Sequence, residues 1–407
     1  MGFKLEKYEF YTLAAFLLCF IIAFLTFMNT NSLKNDYDTD TLKQKLVCYY
    51  NLPHINQSLQ PQRLDPFLCT HIIVGFLEIN NNSIIIEERD IHVYETVVKL
   101  KQINKNLKVM LSVGGNREDS EFSAMIKNHA NRKEFIGSLK NILRKYKLDG
   151  VDLDWEFPGL NPGSDGMFNN RERQHFSQLL REIRMEYVRE KRDYILSTAV
   201  AAPRTIVDIS YDVLELNKYV DFVNVMTYDF HFYSKFTPFT GLNAPLYASS
   251  NDILYWSTLN INFTINYWLN SGMQKEKIMV GLPTYGHSFT KLLYSLLNPL
   301  NNKIQSPASG YGRLGENGFV TYPEVNWFIR HNIFVDLQFD KTSCSPYVSG
   351  GNEWISFENT RSIECKSKYI KDNKFGGAMI YSLNSDDFQA NANTFPLTKI
   401  VKQILKL

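Results

Sequence analysis

Residues 148–159 read Leu-Asp-Gly-Val-Asp-Leu-Asp-Trp-Glu-Phe-Pro-Gly, with carboxylates at Asp149, Asp152, Asp154 and Glu156. Side chains of an extended strand alternate between its faces, so Asp152, Asp154 and Glu156 project to one side and Val151, Leu153 and Trp155 to the other. Three carboxyls aimed into an enclosed space repel and desolvate one another, and one of them must then hold its proton near neutral pH. That is the state a general acid needs. Two other readings compete. An edge strand could carry a solvated acidic face, but a closed barrel has no edges. Clustered oxygens could bind Ca²⁺ or Mg²⁺, yet neither the spacing nor a supporting loop matches a calcium motif, so no metal and no cofactor is expected. Asp149 is out of phase with the other three and belongs at the strand entry, as a cap or hydrogen-bonding anchor outside the chemistry.

A strand of this kind needs neighbours on both sides. Apolar runs at residues 46–50, 71–76, 108–113, 150–156, 195–201, 222–228, 277–282 and 376–383 alternate with amphipathic stretches. This is the pattern of a parallel sheet with crossover helices. Residues 171–192 form one such stretch, with Phe176, Leu179, Leu180 and Ile183 on one face. Eight runs close a (β/α)8 TIM barrel, an α/β fold, and 407 residues with 44% hydrophobic content suffice for one. Barrels of roughly 250 to over 400 residues are ordinary. The stretch from about 287 to 374 is too long for one crossover helix. It is expected to hold an α+β insertion between strands seven and eight, with Trp354-Ile355-Ser356-Phe357 as one of its strands. Chemistry in such barrels sits at the C-terminal strand ends. Tyr49, Phe76 and Tyr228 lie at the ends of the first, second and sixth runs, with Asp229 beside the last. The competing reading for these three aromatics is core packing.

Residues 10–28 are apolar apart from Tyr11, Thr12 and Thr26. A signal-peptide core runs about 7–15 residues and ends in a small-residue cleavage site, which this segment lacks. At about 1.5 Å per residue it could just cross a bilayer. Residues 1–28 therefore read as a signal anchor in preference to a cleaved signal peptide, 29–44 as a polar stalk, and 45–407 as the barrel domain. Cys19 lies in the apolar run, and four cysteines remain. Of their three connectivities, the local pairs Cys48–Cys69 and Cys344–Cys365 are preferred. Sequons at Asn56-Gln57-Ser58, Asn81-Asn82-Ser83 and Asn262-Phe263-Thr264 agree with an extracellular or lumenal domain, secreted or membrane-anchored. The net charge of +2, spread along the chain without a basic block, points away from nucleic acid as a partner. The aromatic content of 14% suits sugar rings, whose C–H faces lie on aromatic π-systems, although core packing accounts for most of the Phe residues. A monomer is expected.

The run D-G-V-D-L-D-W-E-F-P-G resembles the D-x-x-D-x-D-x-E signature of family 18 glycoside hydrolases, the chitinases and their relatives. Cys48-Tyr49-Tyr50, Leu111-Ser112-Val113-Gly114-Gly115, Asn224-Val225-Met226-Thr227-Tyr228-Asp229, Gly281-Leu282-Pro283-Thr284-Tyr285-Gly286-His287 and Phe375-Gly376-Gly377-Ala378-Met379 are similar to further family segments in the same order. The insertion is similar to that of the animal-type members. The resemblance implies hydrolysis of β-1,4 bonds between N-acetylglucosamine units of chitin or chitooligosaccharides. It also implies a retaining, substrate-assisted route in which the sugar's own acetamido oxygen attacks the anomeric carbon. The residues agree: carboxyls from one strand supply an acid but no nucleophile on the opposite side. By the resemblance, Glu156 protonates the leaving oxygen and then activates water. Asp154 orients and stabilises the acetamido N–H, Asp152 shares a proton with Asp154, and Tyr228 hydrogen-bonds the acetamido oxygen. Met226, Asp229 and Tyr285 would line the same sugar site, Tyr49 and Phe76 part of its floor, and Trp155 is counted with the substrate-binding residues. His287 could tune pH dependence, because a histidine changes charge near neutrality.

Three positions depart from the family pattern. Tyr381 stands where active members usually carry the Trp that floors the sugar site, Asn116 where a platform Trp is common, and Phe157 where a Tyr is common. Trp256, Trp268, Trp327 and Trp354 read as structural, and a Trp-poor cleft favours short or soluble oligosaccharides over crystalline chitin. Relatives that bind sugars without cleaving them typically lose an acidic member of the triad, and this chain keeps all three. An enzyme is expected, with a weakly active or inactive chitooligosaccharide-binding lectin or growth-factor-like protein as the alternative.

Overall fold

The computed structural model describes residues 43–53, 58–115, 120–160, 170–249, 252–292, 304–390 and 393–407. The apolar run 10–28, nearly all of the stalk, the Asn56 sequon and Asn116 lie outside these. Among the described residues no helix is long and apolar enough to cross a membrane. Residues from Gln44 to Leu407 form one compact unit.

The sequence-expected runs become strands β1 (Lys45–Asn51) and β2 (His71–Asn80), the latter extended by a hairpin partner β3 (Ser83–Ile85), then β4 (Lys108–Gly114), β5 (Gly150–Asp154), β6 (Ile195–Val200), β7 (Phe222–Val225) and β8 (Ile278–Pro283). An insertion follows with β9 (Tyr285–Lys291), β10 (Ala308–Tyr311), β11 (Phe319–Thr321), β12 (Val335–Asp340), β13 (Ser345–Gly350) and β14 (Glu353–Ser356), before β15 (Gly377–Tyr381) completes the barrel. The parallel order β1-β15-β8-β7-β6-β5-β4-β2 closes on itself through β1–β2 pairing. This is a closed eight-stranded barrel with helices around it. The insertion is an antiparallel sheet ordered β10-β9-β14-β13-β12, with β11 paired to β9.

Alternation sorts the side chains as a pleated barrel demands. On β1, Val47 and Tyr49 point inward with Ile73, Met110, Phe222, Met279 and Met379, while Leu46, Cys48 and Tyr50 face the helices. The helix Asn170–Arg189 buries Phe176, Leu179, Leu180 and Ile183 against the outer face of the barrel, as its period of 3.6 requires. Disulfides join Cys48 to Cys69 and Cys344 to Cys365. The first ties β1 to the turn before β2, and the second ties the insertion to the helix Thr360–Asp372, which packs on β15. The sheet of the insertion begins at Tyr285, two residues earlier than expected, and Trp354, Ile355 and Ser356 lie in β14. Trp268 and Trp354 are fully buried, whereas Trp327 is 56% exposed and stacks on His331.

Candidate active site

The acidic strand is β5, and its register decides what meets each carboxylate. Asp152 pairs with Ser112 on β4 and with Ser197 on β6. Paired residues on parallel strands share a face, so both hydroxyls turn inward beside the Asp152 carboxyl. Ser197 Oγ donates to Asp152 Oδ1 at 2.6 Å and Ser112 Oγ to Oδ2 at 2.9 Å. Tyr49 Oη donates to Oδ2 at 2.7 Å and Asn224 Nδ2 to Oδ1 at 3.1 Å. All four donors are neutral. Burial pushes the Asp152 carboxyl above the usual aspartate value, while these hydrogen bonds pull the other way without cancelling it. Burial, followed by the Asp152 charge, also raises the Tyr49 phenol well above its usual value, so that it stays a donor.

Asp154 ends the strand and is nearly fully buried. Its backbone oxygen accepts from Gly115 N at 2.8 Å. This close approach requires Gly114, where φ is +108° and a Cβ would stand 2.1 Å from that oxygen. Glu156 lies two residues beyond the last ladder position, half-buried. The expected strand therefore stops short, because β4 ends opposite Asp154 and offers no further partner. Glu172, at the start of the helix after it, accepts from Gly159 N at 2.7 Å and fixes the turn that follows Glu156.

Across the barrel mouth, β7 likewise ends early, at Val225, in a turn closed by Thr227 N to Val225 O at 2.9 Å. Tyr228 then points back over the interior. Gly281 leaves room for it, since a Cβ there would come 3.0 Å from the Tyr228 ring. Tyr228 stacks on Tyr381 at 5.7 Å and meets Tyr285 edge-on at 5.9 Å. Tyr49 and Phe76 complete the cluster, stacked at 5.9 Å, with Tyr381 packing against both at 5.7 and 6.4 Å. Met226 packs on the same group. Burial raises the Tyr228, Tyr285 and Tyr381 phenols, and neighbouring carboxylates add to it. Asp229 takes a left-handed φ of 56° and is held there by Asn243 Oδ1, which accepts from its N–H at 2.9 Å. Its Oδ1 accepts from Tyr285 Oη at 2.6 Å and bonds His287 Nε2 at 2.7 Å.

The structure thus brings Asp152, Asp154, Tyr49, Phe76, Tyr228, Met226, Tyr285 and Tyr381 to one end of the barrel, with Glu156 and Asp229 at its mouth. Trp155 is not among them. It is 1% exposed and stacks on Phe122 at 5.3 Å and against Phe176 at 5.8 Å in the layer between strand and helices. Its expected sugar contact is corrected: odd positions of β5 face outward. Asp149 sits where expected, at the strand entry, accepting from Lys101 Nζ at 2.6 Å and Val109 N at 2.8 Å. Ser112, Ser197 and Asn224 were missed from sequence. The available signal was a polar residue at the inward position of an otherwise apolar run on three strands.

Comparison with known proteins shows the family. The profile of Glycosyl hydrolases family 18 matches residues 45–386. Human chitinase-3-like protein 2 is 35% identical over 379 residues, covering 89% of this chain and 92% of that protein. The structure of human YKL-39, a pseudo-chitinase with retained chitooligosaccharide binding properties, aligns with a TM-score of 0.81 at 32% identity over 89% of this chain and 100% of that one. Ostrinia furnacalis Group IV chitinase, solved in complex with allosamidin, aligns with a TM-score of 0.80 at 31% identity over 89% and 99%. The chain belongs to glycosyl hydrolases family 18.

Proposed function

We propose that this protein hydrolyses β-1,4 bonds between N-acetylglucosamine units of chitooligosaccharides by a retaining, substrate-assisted route, with Glu156 as proton donor. The observation that carries this reading is Asp152, a carboxylate sunk in the barrel and answered only by neutral donors. Such a group tends to hold a proton, and it lies two residues from Asp154 on the same face of β5. Shared between the two aspartates, that proton lets Asp154 turn toward Glu156 in one step and toward the acetamido N–H in the next. There its negative charge offsets the positive charge developing on the oxazolinium ring. The half-buried Glu156 protonates the leaving oxygen and later takes a proton from water. Tyr228, kept protonated by its burial, donates to the acetamido oxygen and aims it at the anomeric carbon. Tyr285 and Asp229 hold the far side of the sugar, and Tyr49, Phe76 and Tyr381 form its aromatic floor.

A second reading is a chitooligosaccharide-binding protein with little turnover. It is favoured by Tyr381, a smaller ring than the Trp of active members, and by the pseudo-chitinase among the structural relatives. Release of a fluorogenic leaving group from an N,N′-diacetylchitobioside by the purified domain separates the two, with Glu156→Gln as control. Turnover abolished by the substitution supports the enzyme. No turnover across pH 4–8, together with measurable oligosaccharide binding, would leave the binding protein. The four cysteines joined in two disulfides and the sequons support an extracellular or lumenal domain, secreted or membrane-anchored, behind a signal anchor or signal peptide at residues 1–28 and a stalk at 29–44.

A further inference from the structure

The sequons are a motif that the hydrolytic site leaves unused, and the fold treats them differently. Asn81-Asn82-Ser83 forms the tip of the β2–β3 hairpin, where Asn80 pairs with Ser83 and the two residues between them make the turn. Asn81 and Asn82 take φ values of 49° and 62°, the left-handed conformation that two-residue hairpin turns demand and that asparagine tolerates better than most residues. The Asn81 side chain is exposed at this tip, while Ser83 stays half-exposed beside it. The turn leaves the Asn81 carboxamide and the Ser83 hydroxyl accessible together in the finished fold.

Asn262-Phe263-Thr264 is built the opposite way. It lies in the first turn of the helix Ile261–Asn270. Asn262 Oδ1 accepts from Tyr369 Oη at 3.1 Å and from Asn266 Nδ2 at 3.1 Å, which fixes its carboxamide against the helix Thr360–Asp372. Thr264 is fully buried, its hydroxyl donating to Ala202 O at 3.2 Å. A glycan would have to leave Nδ2 of a carboxamide already oriented by two bonds to its oxygen, and the hydroxyl that a transferase must recognise is buried.

We infer that Asn81 is an N-glycosylation site of this protein and that Asn262 is not, an assignment that rests on the lumenal reading above. The chemistry needs a lipid-pyrophosphate-linked oligosaccharide as donor. The Asn81 carboxamide nitrogen bonds to the anomeric carbon of its first sugar, and the bond from that carbon to the pyrophosphate oxygen breaks. The lipid pyrophosphate leaves with the electron pair, and the amide proton passes to a base of the transferase. The resulting glycan stands beside β3, a three-residue strand paired on one side only, and beside the exposed Ile85.

The test uses the full chain, expressed in cells with a lumenal glycosylation system and carrying Asn56→Gln, so that two sequons remain. One glycan, removable by an amidase that converts the linked Asn to Asp, is expected on every well-populated molecule. It should be lost in Asn81→Gln and in Ser83→Ala, the second of which keeps the turn asparagines, and retained in Asn262→Gln. Peptide mass mapping should find the conversion at Asn81. Modification at Asn262, or a glycan that survives both Asn81→Gln and Ser83→Ala, overturns the inference. An unglycosylated chain with Cys48–Cys69 and Cys344–Cys365 oxidised overturns it while leaving the lumenal reading standing. An unglycosylated chain with free thiols removes both.

Discussion

Two buried carboxylates in this molecule are handled in opposite ways. Glu358, just after the last strand of the insertion, is sunk beside Lys366 on the helix Thr360–Asp372, with both side chains 1% exposed and the ammonium bonded to the carboxylate. Burial pushes each of the pair toward its neutral form, and each opposes that in the other. Asp152, in the barrel, has four neutral donors in place of a cation. A carboxylate matched to a lysine has its burial opposed by an opposite charge. One held by hydroxyls and an amide has its burial opposed by neutral hydrogen bonds alone, and its proton affinity stays above the usual aspartate value. The difference is between a buried carboxylate held by an ion pair and one held by neutral hydrogen bonds.

The comparison can be broken or sharpened by substitution. The largest effect is expected on the functional side: Glu156→Gln should lower turnover by about 10²–10⁴-fold with little change in melting temperature, since loss of a general acid costs on that scale. On the structural side, Glu358→Ala strands a buried ammonium and should cost about 3–5 kcal/mol in denaturant unfolding. Its oligosaccharide Kd should be unchanged, and a weakened Kd would mean that the two regions are not separable. Asp149→Ala removes a partly buried acceptor for Lys101 and the Val109 N–H, and about 1.5–3 kcal/mol of stability is expected to go with it, again without loss of binding.

The stability difference between Asp152→Asn and the parent is expected to depend on pH. The folded-state value of Asp152 is raised, so its contribution is fully present below the ordinary aspartate value of 3.8 and is lost as pH rises through the raised value. The variant cannot ionise. Its melting temperature should therefore gain on that of the parent as pH rises from 3.8 upward, while turnover falls. A variant-minus-parent difference that stays constant over that range would mean that Asp152 is not raised.

Much of the site was legible because period-two alternation is a local rule. It put Asp152 and Asp154 on one face and Asp149 and Trp155 out of it, and counting Trp155 with the substrate-binding residues went against it. It could not say where the strand would stop. Glu156 and Tyr228 lie beyond their strands, β4 ending opposite Asp154 and β6 opposite Val225, which is a property of the sheet. Ser112, Ser197 and Asn224 are separated from Asp152 by 40, 45 and 72 residues, and no local pattern links them to it. Nor does the sequence distinguish the Asn81 sequon from the Asn262 sequon, since the local triplets carry the same instruction.

The sequence alone determined the barrel, the insertion, the family and the identity of the acidic residues, because these follow from periodicity and from a motif written within one strand. Only the tertiary structure decided the state of those acids. A carboxylate's proton affinity is set by what surrounds it in three dimensions, and the ring of neutral donors around Asp152 exists only when the barrel closes and puts β1, β4, β6 and β7 in register with β5.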